Sequence, residues 1–345
     1  MTLRVGIIGA GIWGENHAAV FSALDATELI AVCDLQAERA KDLADRYGAQ
    51  GWYSSPDELF KNGRLDAVSI ATPDHTHTPL VLAALQHGLH VLCEKPLATT
   101  VPEAKHIADV ARQAGVTFMV DFANRVNPPF VKAREAIGNG EIGAVRHGYL
   151  RLSNTEYVPL KMLPWAKHSS ALWFLGSHGV DLLRFLLGDE VVRVFAVKRR
   201  GKLVARGVDT DDFHVAILEF AKGAVVTIEH SWILPTGQLT GLDFKVELIG
   251  DHGAVYVDTS HNRALELYTN NDGKYPDILG VAPSGVGRGG GFTREAIARF
   301  VDAASNGTEP LANADDGVKA TEILEAIERS AASGLSVSLD PTGSV

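Results

Sequence analysis

Gly9-Ala10-Gly11-Ile12-Trp13-Gly14 places three glycines at a spacing that can cradle a pyrophosphate. Gly9 allows a tight turn, Gly11 lets a backbone approach the phosphates, and Gly14 lets a helix pack close to a sheet. The spacing alone is weak. With 34 glycines in 345 residues, roughly 0.3 chance matches per chain arise. A second match, Gly285-Val286-Gly287-Arg288-Gly289-Gly290, is indeed present. Context separates the two. The first copy follows an apolar run at 4–8 and opens a helical pattern. Asp34 then ends the next apolar run, 20 residues past Gly14. A carboxylate there accepts hydrogen bonds from the ribose hydroxyls of NAD and repels the 2′-phosphate of NADP. Arg39 keeps NADP as the alternative. The second copy follows a Pro- and Ser-containing loop, and the residue 20 past Gly290 is Pro310, so it reads as a loop.

Lys95 is the next group with chemistry to offer. It follows the apolar run 90–93 in Cys93-Glu94-Lys95-Pro96. Ligands of open parallel sheets sit beyond the carboxyl ends of the strands, which places this amine in a cofactor crevice. There it can hold a substrate hydroxyl and steady the oxyanion that builds as hydride leaves. Pro96 fixes the turn, and Glu94 can orient Lys95 or the nicotinamide side.

The elements that position these groups follow from periodicity. Apolar runs at 4–8, 28–33, 67–70, 90–93 and 117–120 are nearly continuous and rich in Val and Ile, as strands buried on both faces are. Helical patterns lie between them, with Ser55-Pro56 and Thr78-Pro79 as start signals and Gly88 as a stop. This predicts an α/β Rossmann domain with a doubly wound parallel sheet over residues 1–122. From there the texture changes. Runs at 146–152, 191–198, 213–220, 224–232, 242–249 and 254–257 read as strands, several joined by tight turns in an antiparallel meander. Helical patterns at 170–187, 293–304 and 315–332 accompany them. The prediction for 123–345 is an α+β domain with an open, mainly antiparallel sheet.

Composition narrows the partners. The net charge of −10 disfavours nucleic acid and anionic membrane surfaces. No stretch approaches a membrane span, and residues 1–6 go straight into a strand pattern. Cys33 and Cys93 read as two free thiols of a cytoplasmic protein. No metal is expected: His75 and His77 are too few for zinc, and Asp209, Asp211 and Asp212 read as a solvated turn.

The chain resembles the glucose–fructose oxidoreductase / inositol dehydrogenase family, Gfo/Idh/MocA. The resemblance rests on residues 9–14, on Ala71-Thr72-Pro73-Asp74-His75-Thr76-His77, and on Gly88-Leu89-His90-Val91-Leu92-Cys93-Glu94-Lys95-Pro96-Leu97. It continues through Asn124-Arg125-Val126-Asn127-Pro128, Gly140-Glu141-Ile142-Gly143 and Gly176-Ser177-His178-Gly179-Val180-Asp181-Leu182-Leu183-Arg184. It implies an NAD(P)-dependent oxidoreductase of ring hydroxyls on sugars, cyclitols or derivatives, assembled as a homodimer or homotetramer through the second domain's sheet. By resemblance, Lys95 contacts substrate and nicotinamide, and Ile12 and Trp13 lie over the pyrophosphate. Thr72, Pro73 and His77 border the cofactor, and His178 is the general acid/base. A histidine of ordinary pKa near ~6.5 suits proton exchange with an alcohol. The alternative for His178 is an ordinary helix histidine. The two catalytic groups are expected to converge beside one coenzyme.

One departure stands out. Many relatives carry an aspartate four residues before this histidine, where this chain has Phe174. Residues i and i+4 share a helix face, so the change falls in the expected pocket. Tyr157, Trp165, His168 and Phe174, with Arg125, are the expected substrate contacts. Their aromatic content suits an apolar ring face. This raises a dehydrogenase of cis-dihydrodiols or aromatic glycosides as a second reading. A non-catalytic NAD-binding regulator is a third.

Overall fold

A computed structural model describes residues 2–260 and 290–340, together with the backbone of two short strands at 267–268 and 273–274. These residues divide into two units, 2–127 with 290–318, and 128–260 with 319–340 plus the two short strands.

The first unit alternates strand and helix. In chain order it contains β1 (Leu3–Ile8), α1 (Ile12–Phe21), β2 (Thr27–Cys33), α2 (Ala37–Tyr47), β3 (Gly51–Tyr53) and α3 (Pro56–Asn62). There follow β4 (Ala67–Ile70), α4 (His77–Gln86), β5 (His90–Cys93), α5 (Val101–Ala114) and β6 (Phe118–Val120). The six strands pair in parallel in the order β3-β2-β1-β4-β5-β6, the doubly wound sheet expected. Val5, Ile7, Val68, Ile70, Val91 and Leu92 are each fully buried, which explains their unbroken apolar runs. The α4 start differs from expectation: the helix begins at His77 with Thr76 at its N-cap, because a 3-10 turn, Asp74–Thr76, feeds directly into it.

The second unit contains α6 (Pro128–Gly138), β7 (Val145–Asn154), α7 (Ser177–Leu187), β8 (Val191–Arg199) and the short α8 (Lys202–Ala205). It continues with β9 (Phe213–Phe220), β10 (Val225–Ser231), β11 (Leu242–Gly250), β12 (Ala254–Asp258), β13 (Leu267–Tyr268) and β14 (Gly273–Lys274). Helix α9 (Gly291–Asn306) belongs to the first unit. Helix α10 (Ala314–Ser333) begins in the first unit and ends in the second, followed by β15 (Val337–Ser338). The large sheet runs β12-β11-β7-β10-β9-β8-β15. It is mainly antiparallel, but β7 lies between β11 and β10 and pairs in parallel with β10, so the meander is interrupted.

Register gives this sheet two unlike faces. Ala196, Ala216, Ile228, Leu150 and Val246 sit opposite one another across five strands, and all are buried. One residue along, the row reads Phe195, Ile217, Thr227, Tyr149, Glu247 and Tyr256. Phe195, Ile217 and Tyr256 in that row are 42%, 40% and 69% exposed. The period of two thus separates a helix-covered face from an open one. On the covered face the Ala196 N–H donates to Ser330 Oγ of α10 at 2.9 Å.

The expected boundary after residue 122 differs from this division. Ile297, Phe300 and Val301 of α9 pack into the same core as Val5, Ile7, Phe21 and Leu43. An amphipathic helix carries no mark of which sheet it will cover, so its return to the first unit was not legible. The second glycine hexad lies outside the described residues, apart from Gly290 at the start of α9. Among the described residues no helix is long and apolar enough to cross a membrane.

Candidate active site

The glycine loop joins β1 to α1, and its three glycines have distinct reasons. Gly9 has φ +103°, which disfavours side chains, and a Cβ there would lie 2.4 Å from the Ala71 carbonyl. A Cβ at Gly14 would lie 1.8 Å from the Gly9 carbonyl oxygen. Both glycines are dictated by the protein's own packing. Gly11 is not: a Cβ there meets no atom within 4 Å. Gly11 is the N-cap of α1 and supplies no side-chain cap, so the first N–H groups of the helix, around exposed Ile12 and half-buried Trp13, remain to bind phosphate. Asp34 closes the cradle. Its Oδ2 accepts from Ala10 N–H and its Oδ1 from Gln36 N–H, each at 2.8 Å, which leaves lone pairs on both oxygens for ribose hydroxyls. These residues fit a dinucleotide.

Lys95 sits at the carboxyl end of β5, as expected, and the Lys95–Pro96 peptide is cis. The side chain is buried, and burial pushes its ammonium below lysine's ordinary value against the raising charges of Glu94, Asp74 and Asp121. Beneath it lies a network that the sequence did not announce. His17 of α1 is 1% exposed. Its Nδ1 lies 2.6 Å from Ser69 Oγ, and its Nε2 lies 3.1 Å from Glu94 Oε1 and 3.5 Å from Asp121 Oδ2. Burial alone would lower the imidazole, but hydrogen bonds and charge from Asp121 and Glu94 outweigh it and raise it to about 9. Burial would raise Glu94, yet His17, then Lys95 and His77, hold it below its ordinary value. Asp121 moves up, through burial and the neighbouring Glu94 charge. Ser69, Glu94 and Asp121 lie at the ends of β4, β5 and β6, so the sheet's parallel register brings them together. Only the position of His17, three residues past Gly14 on the sheet-facing side of α1, hinted at it.

His77 is buried and its ring bridges two backbone carbonyls, Pro96 O at 2.7 Å and Thr72 O at 3.0 Å. It therefore ties the loop after β4, with Thr72 and Pro73, to the turn that carries Lys95. Arg125 has a different setting. Its guanidinium donates to the Leu311 carbonyl at 2.9 Å and pairs with Asp316 at 2.9 Å, which makes it a strut within the first unit.

In the second unit, His178 is half-buried in the first turn of α7. The helix expected over 170–187 is not continuous: Leu172–Gly176 forms a π-helical turn before α7. Phe174 lies within this wider turn. Its ring packs 6.0 Å from Trp165 and 5.9 Å from Trp232, centroid to centroid. Trp232 is fully buried and completes an aromatic cluster that the sequence reading did not include. Tyr157 and His168 are exposed. A second π-helical turn, Val158–Met162, follows Tyr157 directly.

The acidic cluster is occupied by internal partners. Asp212 accepts the N–H groups of Lys202 and Leu203 at 2.9 and 2.8 Å and so caps α8. Asp209 pairs with Arg200, and Asp211 accepts from Lys198 at 2.9 Å. Lys198 also reaches Glu328 at 2.7 Å, whose other oxygen lies 3.2 Å from His214 Nε2.

Comparison with known proteins decides the family. Residues 3–122 match the model of the oxidoreductase family with an NAD-binding Rossmann fold, and residues 130–256 match the GFO/IDH/MocA C-terminal domain. Inositol 2-dehydrogenase 1 of Saccharopolyspora erythraea is 30% identical over 352 residues, covering 99% of this chain and 97% of the relative. The chain belongs to the GFO/IDH/MocA family. This family member is also similar to D-glucoside 3-dehydrogenase of Escherichia coli, at 26% identity with 98% and 97% of the two chains covered. Among solved structures, GenD2 from gentamicin A biosynthesis, in complex with NAD, is 30% identical with a TM-score of 0.85, covering 98% of this chain and 97% of that one. As a GFO/IDH/MocA protein, this chain is an NAD-binding oxidoreductase, and its glycine loop and Asp34 lie within the matched Rossmann segment.

Proposed function

We propose that the chain interconverts a ring hydroxyl and the corresponding ketone on a sugar, cyclitol or derivative. Bound NAD supplies the nicotinamide carbon that takes up or returns the hydride. Gly9, Gly11, Ile12, Trp13 and Gly14 hold the pyrophosphate, and Asp34 takes the ribose hydroxyls. Thr72, Pro73 and His77 border the coenzyme. Lys95 donates a hydrogen bond to the reacting oxygen and steadies its developing charge, and His178 exchanges the proton. Glu94 orients the Lys95 segment.

The observation that carries this reading is the buried Lys95 at the carboxyl end of β5. An ammonium of lowered pKa in a dry site is a strong hydrogen-bond donor to an oxyanion. Relatives named for inositol and D-glucoside dehydrogenation, matching along their full length, support the substrate class. Phe174, between Trp165 and Trp232, favours a second reading in which the ring is a cis-dihydrodiol or carries an aromatic aglycone. The test is NADH formation with inositols, pyranosides, aryl glucosides and a cis-dihydrodiol. Turnover of the first two classes supports the leading reading. Turnover confined to the last two supports the second, and none refutes both.

The open face of the second unit's sheet supports a proposed homodimer or homotetramer. Phe195, Ile217 and Tyr256 give it exposed apolar area within a charged frame. Light scattering on an Ile217→Lys variant tests this: the wild type runs as an oligomer and the variant as a smaller species.

A further inference from the structure

We propose that His17 is a positioning residue for Lys95: its ring, anchored on Ser69 and clamped by the Glu94 and Asp121 carboxylates, offsets their negative charge beside the amine. The proposal rests on Lys95 acting on the reacting hydroxyl.

Geometry carries it. Four ionisable side chains, His17, Glu94, Lys95 and Asp121, are each at least nine-tenths buried within one unit. Two carboxylates facing a lone buried ammonium would bind it tightly and hold its proton far above neutral pH. The imidazole changes that count. Its Nε2 points between Glu94 and Asp121, at 3.1 and 3.5 Å, and Ser69 fixes the ring through Nδ1 at 2.6 Å. Doubly protonated, the ring adds a second cation beside Lys95 among the Glu94, Asp121 and Asp74 carboxylates. The two carboxylates raise His17, as they would a held imidazolium, while burial lowers Lys95. Asp74, from the turn before α4, also faces Lys95, and His77 at the start of α4 also faces Glu94. The same trio of His17, Glu94 and Asp121 lies close enough to hold a metal ion. The adjacent Lys95 ammonium would repel a dication, so an imidazolium held between Glu94 and Asp121 suits the trio better.

The experiment reads Lys95 directly. The full chain, labelled at lysine Cε with ¹³C, is titrated by NMR with and without NAD, and Lys95→Arg assigns the signal. Removing a neighbouring positive charge in His17→Gln, which keeps a hydrogen-bond donor, raises the Lys95 midpoint by about one pH unit. Asp121→Asn removes a negative charge and lowers it by a similar amount. A purely structural role for His17 predicts no movement in either variant. An unmoved midpoint in both, or shifts of the same sign, overturns the proposal. With a turned-over substrate, the alkaline limb of kcat follows the NMR midpoint in all three proteins. If the midpoints move as stated but the limb does not follow, the ionic link stands and the catalytic reading of Lys95 falls.

Discussion

His17 Nε2 and Glu94 Oε1 lie 3.1 Å apart, with side chains 1% and 9% exposed, and join the first helix to the end of the fifth strand. The pairing couples folding to protonation. His17 rises from its ordinary 6.5 to about 9 on folding, so its contribution is complete below pH 6.5 and fades as pH passes through 9. The shift corresponds to about 3 kcal/mol shared with its carboxylate partners. Denaturant midpoints of wild type and His17→Gln should therefore differ most near pH 6 and converge above pH 9.

Glu328 shows the opposite sign in the second unit. Burial would raise it, but His214 and Lys198 hold it at about 2, below its ordinary 4.5. Its stabilisation is present above pH 4.5 and is lost as pH falls toward 2. Glu328→Gln should be less stable than wild type at pH 6, and the gap should narrow steadily on acidification. Urea midpoints at pH 6, 4 and 3 measure this.

The glycine loop separates folding from binding. Gly14→Ala forces a Cβ onto the Gly9 carbonyl and should destabilise by about 2 kcal/mol or more. Gly11→Ala meets no protein atom and should leave stability within about 1 kcal/mol of wild type. It should nevertheless weaken NAD binding tenfold or more, since a methyl group then faces the pyrophosphate. Thermal melts and calorimetric titration of the two variants check the contrast.

Asp34 is the proposed determinant of the preference for NAD. Replacing it with alanine removes the repulsion of a 2′-phosphate and the acceptor for Ala10 and Gln36 N–H groups. The NAD-to-NADP ratio of kcat/KM should fall by about tenfold or more, with a stability loss of about 1–3 kcal/mol. An unchanged ratio would place the discriminating group elsewhere.

Much of this architecture is legible because its signals are local. The runs that became β4 and β5 are continuous and apolar, and Asp34 stands at a fixed distance from the glycines. Lys95 could be placed at the carboxyl end of β5 because the apolar run before it is unbroken. Long-range relations were not legible. His17, Ser69, Glu94 and Asp121 come from four different elements and meet only when the strands register. The parallel pairing of β7 with β10 and the return of α9 depend on contacts far apart in sequence. Edge strand β3 has three residues, too few for a periodic signal. The π-helical turn at Leu172–Gly176 leaves no mark in an apolar pattern that fits an α-helix equally well, and the packing of its Phe174 against Trp165 and Trp232 is a long-range contact.

The central claim is that the Lys95 amine acts on the reacting oxygen after NAD has bound. The direct measurement is kcat of Lys95→Ala on the best substrate, alongside its NAD affinity in the same preparation. NAD affinity within about threefold of wild type and kcat reduced about 100-fold or more is the predicted result. Turnover within tenfold of wild type, or tight NAD binding with no turnover in the wild type itself, would contradict it.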